Sequence, residues 1–445
     1  MKREVTLTED TRLFFPKDLI VKKVSDVYLV YAIETANWLV LESELQIRLL
    51  EELRSGRTIG EVISIADENN STKDSMQLLS SILARGFASK ECVPSPMTLD
   101  RFNHLYIYMT NACNLRCVHC FMNSGIRMKD ELLTDEIKKL LHDFKENSGD
   151  AITFTGGEPT VRADFTELLK YAHDLGLSST ILTNGTLWTQ SLIDEVSPYI
   201  NEVQVSLDGI DEDTNSKIRG NGHFDETLQN IVTFAKHGVQ TSVATTLTFN
   251  NLSSHTKYDF KALVDKTAKV TQGQVLFRLS KKILQGRGIH YSDEDNKRFY
   301  QQICEIEDFV YPQARLNNFI EGHTPNLIST NCGYGGLSIS ANGDVYVCNR
   351  ISEVEKIGNV RNDDMKELLN EGKRLFELTS VANVEPCGNC YLRNICGGGC
   401  RIDDFNFKGK HKEFSGKLKQ IRCNEEFRDS LEKLMVDSFV HHYKF

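Results

Sequence analysis

Between residues 105 and 279 short apolar runs alternate with longer amphipathic stretches. The runs at 105–109, 151–155, 179–183, 203–207, 241–247 and 274–279 are each too short for a helix and rich in β-formers, so they are predicted strands. Thr134–Glu146, Asp164–Leu175, Glu226–His237 and Lys257–Lys269 carry apolar residues at helical spacing and fall between most of them. Repeated strand–helix units imply an α/β fold, a parallel sheet with helices outside. In barrels of this kind the chemistry sits at the carboxyl ends of the strands.

Residues 1–95 read differently. Val27–Ile33 and Trp38–Leu41 are β-rich runs separated by the polar Glu34-Thr35-Ala36-Asn37, which suits a hairpin. Ser43 is a good N-cap for a helix to Arg54, with Leu45, Leu49, Leu50 and Leu53 on one face and Gly56 as its stop. Thr58 and Glu61 form a capping box that opens a second helix. A third runs from Thr72 to Arg85, its apolar side built from Met76, Leu79, Ile82 and Leu83, and stops at Gly86. Strands with three short helices suggest a winged-helix-like unit. The third helix offers only Lys73 and Arg85 as bases, too few for a phosphate-binding face. Cys92-Val-Pro-Ser-Pro-Met97 reads as a linker.

Bulk numbers narrow the classes. With 445 residues the chain holds two to four domains, and 40% hydrophobic with 26% charged residues describes an ordinary water-soluble protein. The polar Met1-Lys2-Arg3-Glu4 start and the lack of a long apolar run predict neither secretion nor membrane insertion, hence a cytoplasmic protein. A net charge of −10 argues against non-specific nucleic-acid binding.

Twelve cysteines in such a chain are read as metal ligands rather than disulfides. Three fall at Cys113, Cys117 and Cys120, on a loop directly after the 105–109 run. Ferredoxin-type clusters use four cysteines, and here the next one is Cys304, so a three-cysteine cube would keep one iron free for something other than protein. Zinc is the competing reading, with His119 as its fourth ligand, although a histidine between two cysteine ligands is poorly placed to reach the same ion. Cys92 and Cys304 stand apart and read as plain buried thiols.

This C-x3-C-x2-C loop resembles the signature of the radical S-adenosylmethionine (SAM) superfamily, with His119 where an aromatic ring precedes the last cysteine. The resemblance implies a partial (β/α)6 barrel of TIM type and a [4Fe-4S] cluster whose free iron chelates SAM. One-electron cleavage would then give methionine and a hydrogen-abstracting 5′-deoxyadenosyl radical. Gly156-Gly157-Glu158-Pro159, one unit after the cysteines, is similar to the family's GGEP motif at the SAM amino group. Asn184 in Thr183-Asn184-Gly185, and Ser206 and Asp208 at the fourth strand's end, are similar to positions that bind SAM. Ser206 and Asp208 read equally well as strand-end turn residues. Arg219 resembles an arginine that meets the SAM carboxylate, with a surface arginine as its alternative. Thr245, Thr246 and Asn250 follow the fifth strand as weaker candidates.

A second set reads Cys332-x10-Gly343-x4-Cys348, then Cys387-x2-Cys390-x5-Cys396-x3-Cys400, then Cys423. It resembles the SPASM extension, which implies two auxiliary [4Fe-4S] clusters and three in all. Cys387, Cys390, Cys396 and Cys423 would hold the outer one, and Cys332, Cys348 and Cys400 the inner one. Seven cysteines leave the inner cluster one ligand short. That iron would be open, or met by a non-cysteine residue or by Cys304. A zinc ribbon is the alternative for the C-x2-C pair. Asn342-Gly343-Asp344 signals a hairpin, and Gly397-Gly398-Gly399 gives a backbone free to wrap a cluster.

The first 95 residues are similar in pattern to domains that capture a leader peptide as an added strand on a sheet edge. Four parts are therefore expected: recognition domain 1–95, radical SAM core 100–310, SPASM domain 320–430 and a carboxyl-terminal tail 431–445. The resemblance implies a SAM-dependent enzyme that crosslinks a ribosomal precursor peptide through a thioether or carbon–carbon bond, drawing electrons from a flavodoxin or ferredoxin. No catalytic acid or base can be named, and Tyr334, Arg278 and Arg287 read as residues of the substrate cavity or, equally, as packing or surface residues. Two alternatives stand: a formylglycine-forming SPASM oxidase, and a non-catalytic, metal-braced peptide- or nucleic-acid-binding scaffold.

Overall fold

A computed structural model describes residues 7–99, 102–284, 286–412 and 414–443. The expected boundary at residue 100 lies outside them. The amino-terminal unit has three antiparallel strands, β1 (Leu19–Val24), β2 (Val27–Ala32) and β3 (Asn37–Leu41), then α1 (Glu44–Arg54), α2 (Ile59–Glu68) and α3 (Thr72–Arg85). The expected caps are present. Ser43 accepts from the Gln46 amide, and Thr58 and Glu61 close a capping box. Two details differ. β1 is an additional strand, and α3 buries Leu78, Leu79 and Ile82 while Met76 and Leu83 face solvent.

The second sheet has nine strands. Its parallel part is β4 (His104–Tyr108), β5 (Ala151–Thr155), β6 (Ser178–Thr183), β7 (Glu202–Ser206), β8 (Gln240–Thr245) and β9 (Val275–Leu279), paired in that order. Against it pack α4 (Thr134–Glu146), α5 (Phe165–Asp174), α6 (Gln190–Val196), α7 (Glu212–Arg219), α8 (Phe224–Lys236) and α9 (Thr256–Thr271). Every other strand residue enters the core: Leu105, Ile107, Ile152, Phe154, Val203 and Val205 meet helix residues such as Leu140, Phe144, Leu168 and Phe234. Alternation sends the intervening residues, among them Tyr106, Thr155, Gln204 and Ser206, to the concave face. A parallel sheet buried on both faces would be apolar throughout. This concave face is polar because it is a cavity wall.

After α10 (Asp293–Val310) and α11 (Ala314–Glu321), a hairpin of β10 (Ser338–Ile339) and β11 (Asp344–Tyr346) is followed by β12 (Lys356–Asn359). β10 pairs parallel to β4, so the cysteine-rich region continues the barrel sheet. The expected hairpin at Asn342-Gly343 is present, and its turn leads the chain from Cys332 back to Cys348 beside the first barrel strand.

The last elements are α12 (Met365–Leu378), α13 (Arg393–Cys396) and α14 (Glu425–His442). The segment expected as a tail from 431 belongs to a continuous helix that docks on the amino-terminal unit. Met435, Val436 and Phe439 share a core with Trp38, Leu50 and Ile82. Glu432, 2% exposed, accepts from Tyr391 and lies 2.6 Å from Lys22 Nζ of β1. Trp38 Nε1 donates to the Met435 carbonyl. All of β3 is buried by this packing, whereas β1 forms a half-exposed edge with Val21 42% exposed.

Candidate active site

Cys113, Cys117 and Cys120 follow β4 and border a cavity of about 360 Å3 at the carboxyl ends of the parallel strands. His119, Gly156, Gly157, Asn184, Ser206 and Arg219 line the same cavity, so most of the expected SAM-binding residues come together. Among the described residues no three Cys, His, Asp or Glu side chains close on a point that one ion could fill. Thiols ringing a cavity instead suit a cluster of several irons. Burial pushes the Cys113 and Cys117 thiols up, and both need compensation as thiolates. It is at hand: the Leu115 amide lies 3.4 Å and Asn184 Nδ2 3.8 Å from Cys113 Sγ, and Arg219 Nη1 lies 3.9 Å from Cys117 Sγ.

Glu158 and Asp208 do not face the cavity. Both are 0% exposed. Glu158 accepts from the Asn184 amide and from the Thr160 and Thr183 hydroxyls, and burial pushes its carboxyl up. It braces the loops after β5 and β6 instead of facing the cavity. Gly156 and Gly157 are needed for a close approach of backbone to backbone. A Cβ on either would stand 2.5 or 2.2 Å from the Thr110 or Ala112 carbonyl, so these glycines admit the backbone just before Cys113.

Asp208 anchors a buried charge group. One oxygen accepts from the Thr246 amide at 2.7 Å. The other lies 2.7 Å from Arg219 Nε and 2.9 Å from His119 Nε2. The arginine contact is an ion pair whose N–H is not aligned as a hydrogen bond. Burial would raise the Asp208 carboxyl, but Arg219 and His119 outweigh it and hold it low. Arg219, with a side chain 10% exposed, is no surface residue; burial lowers it, yet Asp208 and Cys117 together keep it charged. Asp208 is thus a positioning residue for His119 and Arg219. His119 Nδ1 and Ser124 Oγ, both on cavity-lining residues, are buried without a hydrogen-bond partner among the described residues, as a site built for a polar guest requires.

Arg287 holds the cysteine loop from outside, donating to the Cys117 and Ser124 carbonyls and to Asn123. Its expected place on the substrate cavity is not found. Arg278 is exposed on β9, and Tyr334 is buried in the SPASM core, donating to the Gly409 carbonyl. Thr246 lines the cavity, while Thr245 is turned into the core and Asn250 is exposed. Sequence reading missed Ser280 and Lys282, which follow β9 and complete the wall; position just after the last strand was the available signal.

Cys387, Cys390, Cys396 and Cys423 ring a second cavity, of about 230 Å3. Burial pushes the Cys387 thiol up to about 11. The inner thiols act on one another: Cys348, pushed up to about 11 by burial, feels Cys332 and Cys400. Both thiol groups fit an iron–sulfur cluster. Cys304 lies on α10 against Tyr300, and Cys92 is exposed, so neither is the expected buried thiol. Gly397, Gly398 and Gly399 all adopt left-handed φ, and their turn wraps the fully buried guanidinium of Arg401, which donates to the Gly397, Gly399, Thr330 and Thr379 carbonyls.

Residues 107–262 match the radical SAM superfamily and residues 331–391 the SPASM iron–sulfur cluster-binding domain. The mycofactocin maturase MftC of Mycobacterium tuberculosis is 31% identical over 338 residues, 70% of this chain and 83% of that one. The Fe-coproporphyrin III synthase of Methanosarcina barkeri is 35% identical over 333 residues, 66% and 82%. Among solved structures, anSMEcpe with bound AdoMet gives a TM-score of 0.54 at 20% identity, covering 75% of this chain and 98% of that one. Streptococcus suis SuiB bound to its precursor peptide SuiA gives 0.50 at 17%, covering 93% and 99%.

Proposed function

Since the chain belongs to the radical SAM superfamily and carries its SPASM domain, we propose that it crosslinks a ribosomally made precursor peptide by hydrogen abstraction. Three [4Fe-4S] clusters are assigned: one on Cys113, Cys117 and Cys120, the outer auxiliary one on Cys387, Cys390, Cys396 and Cys423, and the inner one on Cys332, Cys348 and Cys400. When bound, the first cluster with SAM supplies a 5′-deoxyadenosyl radical. The protein's residues orient that chemistry. His119 and Arg219, fixed by Asp208, offer a ring and a fork-shaped donor for an adenosyl group and a carboxylate. Asn184 and the Gly156-Gly157 backbone would serve its amino group, and Ser206 and Thr246 its ribose, since all of them line the one cavity.

The observation that carries the peptide reading is the amino-terminal unit, a small sheet packed on α14 whose β1 edge pairs with no further strand among the described residues. A leader would add to β1 as a further antiparallel or parallel strand. SuiB's likeness reaches over more of this chain than residues 96–445 amount to, so it takes in that unit as fold. A second reading, synthesis of an iron porphyrin, draws on the identity with the M. barkeri Fe-coproporphyrin III synthase. Formylglycine formation is less favoured because it has no use for a leader-binding unit. Anaerobically reconstituted enzyme, with a flavodoxin or ferredoxin as electron donor, is incubated with the peptides encoded beside its gene. A mass loss of two hydrogens in one peptide is expected. Intact peptides together with formation of an iron porphyrin from a tetrapyrrole precursor would overturn the reading.

A further inference from the structure

Lys282 and the inner cysteine set are joined by charges that none of the roles above uses. Lys282 stands on the wall of the barrel cavity. Its Nζ lies 2.7 Å from Asp403 Oδ2. Asp403 receives the guanidinium of Arg350 on both oxygens, at 2.7 and 3.2 Å. The other side of that guanidinium grips Glu353 at 2.7 and 2.5 Å. Arg350 Nη1 then donates to Cys400 Sγ at 3.5 Å. Two cations and two carboxylates close into a neutral set, with one end on a cluster ligand and the other at the cavity.

We propose that Lys282, Asp403 and Arg350 are a charge relay that sets the reduction potential of the inner auxiliary cluster and ties it to what occupies the barrel cavity. The proposal rests on the assignment of a cluster to Cys332, Cys348 and Cys400. Hydrogen bonds to the sulfurs and nearby net charge are the protein's levers on cluster potential. Arg350 pulls both in one direction, because its donation to Cys400 and its charge favour the reduced, more negative cluster. Asp403 opposes it, and Lys282 cancels Asp403. A substrate anion that draws Lys282 away would leave Asp403 under-compensated beside the cluster, and the potential would fall. Arg350 and Asp403 are half-buried, with side chains 16% and 20% exposed, so water screens this change only in part.

The test is an anaerobic, EPR-monitored potentiometric titration of the reconstituted full-length enzyme. The inner cluster's wave is the one that Cys348→Ala removes. Lys282→Gln is expected to move that wave alone to lower potential, and Lys282→Arg to restore it. Asp403→Asn is expected to move it to higher potential. Arg350→Lys, which keeps the charge and loses the fork, should give a downward shift. An inner wave unmoved by both Lys282→Gln and Asp403→Asn, or a common drift of all waves, overturns the relay while leaving the cluster assignment intact. A wild-type enzyme with no wave sensitive to Cys348→Ala overturns both.

Discussion

Asp208→Asn isolates the part of the site that holds the cysteine loop to the barrel. Asparagine keeps the shape and the acceptor for the Thr246 amide, but removes the charge that faces Arg219 and His119. Arg219 is left as a buried cation without a counter-ion. Breaking a buried pair by removing one partner costs about 3–5 kcal/mol, a large share of a typical domain stability of about 5–15 kcal/mol. For a unit of the barrel's size this lowers the melting temperature by roughly 6–20 °C. The loss should appear in the barrel transition of the metal-free protein, followed by calorimetry and by hydrogen exchange at β7 and β8. Arg219 and His119 both line the cavity, so SAM affinity of the reconstituted enzyme should fall by about tenfold or more, which needs only ~1.4 kcal/mol. Asp208→Asn combined with Arg219→Met removes the orphaned cation and should recover most of the stability without the affinity, a non-additivity that a cycle measures directly. If Asp208→Asn melts within about 2 °C of wild type and binds SAM equally well, the anchoring role is wrong.

Three further outcomes follow from the same geometry. The ligand form of cysteine is the thiolate, and burial raises the Cys348 and Cys387 thiols to about 11 each, so cluster loading releases protons. Loading of the auxiliary sites, read as iron and sulfide content, should therefore strengthen as pH rises from 6.5 to 8.5, and a flat or falling profile would contradict it. Glu432→Gln weakens the hold of α14 on β1; since Lys22 stays solvated, the cost is only about 1 kcal/mol, visible as faster amide exchange in residues 19–24. Val21→Glu places a charge on the exposed β1 edge and should weaken precursor binding about tenfold or more in calorimetry, whereas unchanged affinity would move the leader to another surface.

The barrel was legible because its signal is local. β4, β5, β7 and β9 present an apolar residue to the core at every second position, and the helices between the strands repeat at their own period. The cysteine groups were legible because spacing alone restricts their chemistry. β1 escaped because its Lys22 and Lys23 interrupt the apolar pattern of an edge strand, and their charge is what an open edge needs. The pairing of β10 with β4 joins residues that no local pattern relates. The acidic residues were the least readable. Glu158 and Asp208 stand at the expected positions, yet each is turned inward to hold loops rather than outward to a ligand, and only tertiary packing decides which. Lys282 was overlooked because its meaning comes from Asp403 and, through it, from Arg350.

The three-cysteine loop is tested most directly by EPR of the anaerobically reconstituted, reduced protein with and without SAM. Addition of SAM should reshape the cluster signal and release 5′-deoxyadenosine, and Cys117→Ala should abolish both. A signal indifferent to SAM, or nucleoside release that survives Cys117→Ala, would contradict the assignment of a SAM-binding cluster to Cys113, Cys117 and Cys120.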